Sequence, residues 1–75
     1  MYAYILIGLD EPNERVVLEE FSAMKEVVEA HILFGEWDLI IKIKIDSPEA
    51  VSNFVIEKVR TVDGVQLTST LVVAE

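Results

Sequence analysis

Two short polar segments outside the helical patterns of this chain hold the side chains best able to do chemistry. Gly35-Glu36-Trp37-Asp38 is one, and Gln66-Leu67-Thr68-Ser69-Thr70 is the other. Together they offer what a zwitterion needs. A carboxylate such as Asp38 can pair with an ammonium group, while hydroxyls and backbone N–H groups near Thr68 to Thr70 can receive a carboxylate. The same residues also fit a plainer pattern, a turn glycine in one segment and solvent-facing threonines on a strand in the other. Trp37 can be an apolar plug with one N–H donor, or a pocket wall, since loops on rigid scaffolds concentrate binding groups.

Covalent catalysis has little material here. The chain holds no cysteine and one histidine, and it lacks both the Gly-x-Ser-x-Gly elbow and the Walker phosphate loop. Its 14 acidic residues allow carboxylate pairing for acid–base work. Most of them fall on helical surfaces, where solvation is their ordinary role. His31 alone makes a poor metal site, because transition-metal sites gather three or four convergent donors; it reads as a structural or interface histidine. These residues describe a binding protein rather than an enzyme, with no cofactor and no metal. Two alternatives stand beside that reading. One is a small dimeric α+β barrel enzyme using His31 and a carboxylate, whose mark would be a buried pocket around His31 in each subunit. The other is a structural assembly module with no ligand.

The elements that must position these residues follow from hydropathy. Met1 to Leu9 is a β-rich apolar run closed by Asp10-Glu11-Pro12-Asn13, a turn cluster. From Asn13 to about Ala23, Val17, Phe21 and Met24 recur at helical spacing. Val28 to Phe34 alternates, with Val28, Ala30, Ile32 and Phe34 on one side and Glu29, His31 and Leu33 on the other. Beyond the glycine loop, Leu39, Ile41, Ile43 and Ile45 oppose Ile40, Lys42 and Lys44, so the two runs form a hairpin. Ser47 is placed to cap a second helix, with Pro48 at its first position and Glu49 facing the positive end of its dipole. Val51, Phe54, Val55 and Val59 make the buried stripe of that helix, and after Asp63-Gly64 a Thr- and Val-rich strand returns over Val65 to Ala74. The order βαββαβ predicts a single α+β domain over 1–75, a ferredoxin-like sandwich in which both helices cover one face of a four-stranded antiparallel sheet.

Composition then says what such a domain requires. Hydrophobic residues make up 52% of the 75, and a domain this small buries only about 60% of the surface that its unfolded chain exposes. With neither disulfide nor zinc to add stability, the half-apolar second sheet face predicts a homo-oligomer. A net charge of −8 opposes binding to a phosphate backbone, so direct contact with nucleic acid is not expected. The N-terminal run lacks a positive n-region and reaches Asp10 too early for a signal peptide or a membrane span, which predicts a cytoplasmic protein with no membrane partner.

The run His31-Ile32-Leu33-Phe34-Gly35-Glu36-Trp37-Asp38-Leu39-Ile40-Ile41-Lys42-Ile43, with Gly64-Val65-Gln66-Leu67-Thr68-Ser69-Thr70-Leu71-Val72-Val73 after the second helix, resembles the ligand-binding domain of the Lrp/AsnC regulators, the feast/famine regulatory proteins. The likeness extends from Tyr2 to Val73. It implies a domain that dimerises through its sheets, assembles dimers into rings and binds amino acids between dimers, in the service of transcription regulation. Carried over by position, it implies a ligand site made of Gly35, Trp37 and Asp38 from the loop with Gln66, Thr68, Ser69 and Thr70 from the last strand. No helix-turn-helix precedes the domain in this sequence, so the resemblance is to the stand-alone form of the sensor, whose partners would be the effector, further copies of itself and full-length regulators of the family.

Overall fold

The computed structural model describes every residue from Met1 to Glu75. Strand β1, Tyr2–Leu9, alternates as its sequence requires: Ala3, Ile5 and Ile7 are fully buried while the residues between them are not. Asp10 ends the strand, and its N–H donates to the Gly64 carbonyl at 2.9 Å. Helix α1, Glu14–Ser22, turns Val17 and Phe21 into the core. Gly64 on the facing turn has φ +92°, a left-handed conformation that glycine adopts without strain, and it packs against the Asn13 side chain.

Strand β2, Val27–Ile32, departs from the alternation expected over Val28 to Phe34. A bulge between Val27 and Glu29 leaves Val28 without a partner across the sheet. One extra residue reverses the facing of what precedes it, so Val27 and Ala30 meet the core while Val28 is exposed. The strand stops at Ile32, where the Leu33 N–H donates to the Asp38 carbonyl at 2.9 Å and closes the hairpin. Phe34 therefore lies beyond the strand, fully exposed, rather than on its inner face.

Strand β3, Leu39–Lys44, follows the expected pattern, with Leu39, Ile41 and Ile43 fully buried. Helix α2, Pro48–Phe54, begins as predicted: the Ala50 N–H donates to Ser47 Oγ at 3.1 Å and Pro48 opens the first turn. The helix continues into a π-helical turn, Val55–Val59, in which the Arg60 N–H donates to the Val55 carbonyl at 2.9 Å. Val51, Phe54, Val55 and Val59 all reach the core.

Strand β4, Val65–Val72, returns along β1. The sheet order is β2-β3-β1-β4, antiparallel throughout, so β2 and β4 are the edges. This is the ferredoxin-like βαββαβ sandwich. All 13 buried residues are hydrophobic, which leaves no catalytic group in the core. The second sheet face carries no element of this chain. On it stand Tyr2, Tyr4, Leu6 and Gly8 of β1, Ile40, Lys42 and Lys44 of β3, Glu29 and His31 of β2, and Leu67, Ser69 and Leu71 of β4. At one end of this face Lys42 Nζ lies 4.7 Å from the centre of the Tyr2 ring and 5.8 Å from that of Tyr4, with Glu29 at 3.7 Å. The other end, around Leu6, Ile40 and Leu67, is mainly apolar.

Candidate functional site

The hairpin loop between β2 and β3 is built around Gly35 and Asp38. Gly35 has φ +142°, where a side chain would be strained, and nothing within 4 Å crowds it. Asp38 is a joint between strand ends. Its carboxylate Oδ2 accepts the Leu9 N–H at 2.7 Å, its own N–H donates to the Ile7 carbonyl at 2.9 Å, and its carbonyl accepts from Leu33. The short, charge-assisted bond to Leu9 satisfies a backbone donor that the bulge between Gly8 and Leu9 releases from regular pairing. Oδ1 makes no hydrogen bond within the chain.

Held between Gly35 and Asp38, Trp37 is half-buried and lies against Gly8 of β1 on the bare sheet face. Gly8, Glu36, Trp37 and Leu67 line a depression of about 240 Å³. Glu36 is exposed and makes neither an ion pair nor a hydrogen bond in the chain.

The residues of β4 divide between the two faces. Ser69 pairs across from Leu6 on the bare face, whereas Thr68 and Thr70 pair across from Ile7 and Ile5 and turn to the helix side. Thr70 lines a separate groove of about 360 Å³ between α2 and β4, with Ser52, Val55, Ile56, Arg60 and Val72 among its other walls. Gln66 is exposed at the start of the strand. Within one chain, then, the loop residues Gly35, Trp37 and Asp38 cluster, while the hydroxyls of β4 are distributed over both sides of an edge strand. The alternation of a strand makes this unavoidable, since three consecutive residues cannot face one side. Sequence reasoning missed Gly8 and Leu67; the signal for Gly8 was a glycine interrupting an apolar strand.

His31 is on the bare face with its side chain 61% exposed, 3.2 Å from Glu29. It lines none of the four depressions of the surface, so the buried histidine pocket that an enzyme reading demands does not exist within the chain. No three His, Cys, Asp or Glu side chains converge on a metal geometry, and no helix is long and apolar enough to cross a membrane. Away from the site, Glu26 and Lys58 pair at 3.2 Å and tie the approach to β2 to the π-helical turn. Glu26's own backbone N–H holds its carboxyl below the usual range, against the opposing effect of burial and with further help from Lys58.

A family model for the Lrp/AsnC ligand binding domain matches residues 2–75. The chain belongs to the Lrp/AsnC family. An uncharacterized HTH-type transcriptional regulator of Pyrococcus abyssi is 40% identical over 73 residues, a match that takes in 93% of this chain and 49% of that protein. The chain thus spans about half the length of such curated relatives. Among solved Lrp/AsnC-like structures, the hypothetical protein PHS023 of Pyrococcus horikoshii superposes with a TM-score of 0.88 at 39% identity, over 99% of this chain and 90% of that one. The fold also recurs in the transcriptional regulator NMB0573 of Neisseria meningitidis, solved as a complex with L-Met, at 22% identity and a TM-score of 0.86 over 99% of this chain and 49% of that one.

Proposed function

We propose that this Lrp/AsnC domain binds an amino acid at the interfaces of a homo-oligomer and works as a sensor rather than an enzyme. The site is Gly35, Trp37 and Asp38 of one loop with Gln66, Thr68, Ser69 and Thr70 of β4. One observation carries the reading: the hydroxyls lie on both faces of an edge strand, so a complete site for a zwitterion needs surfaces from more than one copy. A bare sheet face with Leu6, Ile40, Leu67 and Leu71 supplies the reason to associate, because apolar area of that kind finds cover in soluble proteins. In this reading Asp38 meets the ammonium group through Oδ1, its Oδ2 being held by Leu9, and the hydroxyls with nearby N–H groups meet the carboxylate. The domain acts on transcription through full-length regulators of its family, by mixing with them or by buffering their effector. It works in the cytoplasm. With its −8 charge it makes no direct contact with DNA.

Calorimetry of the chain against each of the twenty L-amino acids, beginning with L-methionine, tests the binding half. Saturable heat for one or a few of them is expected, and silence at millimolar concentration removes the reading. Sedimentation at micromolar protein tests the assembly half. A dimer or larger ring is expected, and a monomer refutes it.

A further inference from the structure

Gly8 has no backbone reason to be glycine. Only Gly35 and Gly64 take positive φ, so the conformation at Gly8 is open to any residue, and the neighbouring bulge is not of the kind that demands a left-handed glycine. Glycine also weakens a strand, and this one is otherwise Tyr, Ala, Ile and Leu. What the missing side chain leaves is space. A Cβ added here would stand 3.5 Å from Leu67 Cβ and 3.8 Å from Trp37 Cε3, ordinary contact distances that would fill the bottom of the depression without displacing its walls.

We propose that Gly8 is a specificity-determining residue of the ligand site: it is the floor of a side-chain pocket walled by Trp37 and Leu67, with Glu36 at the mouth, that takes the apolar side chain of an amino acid. The proposal rests on the amino-acid reading above. Tryptophan and leucine walls favour an apolar group. Glu36, unpaired at the mouth, disfavours acidic side chains. Because the floor is a hydrogen atom rather than a methyl group, the pocket has the depth for a long side chain, and each added carbon at position 8 removes that depth.

Three substitutions test it: Gly8→Ala, Gly8→Val and Leu67→Ala. Leu67 is 60% exposed, so its truncation leaves the core intact. Trp37 is the only tryptophan, so its emission reports directly on the pocket. In titrations against the twenty L-amino acids, Gly8→Ala weakens the longest apolar ligands at least tenfold while leaving glycine and alanine unchanged. Gly8→Val extends the loss to medium side chains and shifts the Trp37 emission without ligand. Leu67→Ala moves the preference towards bulkier side chains. Binding whose selectivity neither Gly8 variant alters, or a loss uniform over all amino acids in variants that melt like the wild type, overturns the proposal while leaving the sensor reading in place. A wild-type chain that binds none of the twenty overturns both.

Discussion

Along β1, Ala3, Ile5 and Ile7 lie fully buried beneath the helices, whereas Tyr2, Tyr4, Leu6 and Gly8 between them stand on the bare side of the sheet. Strand β3 repeats the division, with Leu39, Ile41 and Ile43 inside and Ile40, Lys42 and Lys44 outside. The inner face is finished by the chain itself. The outer face mixes isoleucine, leucine and tyrosine with lysine and glutamate, a composition too apolar to be an ordinary wet surface and too charged to be a core. Two faces of the same strands thus carry different tasks, folding on one and association with ligand binding on the other. The loop that holds Trp37 and Asp38 sits at the rim of the second.

The largest expected effect comes from damage to the inner face. Phe21→Ala removes a fully buried ring and should cost about 3–5 kcal/mol in denaturant unfolding. That is a large share of the stability of a small domain. On the outer face, Leu6→Lys should leave secondary structure and melting of the subunit near wild type while dispersing the oligomer in sedimentation. If it unfolds the chain as Phe21→Ala does, the two faces do not differ in role.

At the rim, Asp38 separates structure from ligand binding. Asp38→Ala strands the partly buried Leu9 N–H and should cost about 1–3 kcal/mol of stability. Asp38→Asn keeps an acceptor for Leu9 but loses the charge, so it should melt closer to the wild type and weaken amino-acid binding roughly ten- to a hundredfold. Equal melting of the two variants would remove Asp38's role as a joint; wild-type affinity in Asp38→Asn would remove its role at the ligand.

The smallest effect concerns the Glu26–Lys58 pair. Because the folded chain lowers the Glu26 carboxyl below its unfolded value of about 4.3, the stability it contributes is present above that pH and disappears as pH falls through the lower folded value. Glu26→Gln should therefore melt slightly below the wild type near neutrality, and the two melting curves should converge in acid. A difference that persists unchanged below pH 3 would assign the effect to packing rather than charge.

The order of elements, the capped start at Ser47-Pro48, the stripe Val51, Phe54, Val55 and Val59, and the two sides of β3 were legible in the sequence. Each depends on periodicity or on a local capping bond, which neighbours in the chain determine by themselves. The hairpin loop and β4 were legible as polar segments, and alternation alone could have divided Ser69 from Thr68 and Thr70. The bulge that exposes Val28 left no such trace, and neither did the early end of β2 that places Phe34 in solvent. Likewise the Asp38 carboxylate meets a backbone N–H that is 29 positions away in the chain, and Gly8, Trp37 and Leu67 come from three separate segments. Those meetings are set by strand register, and register is decided by how the strand ends, bulges and turns of the whole sheet fit together. Residue types and local periods therefore determined which side chains were available, and tertiary pairing decided which of them share a site.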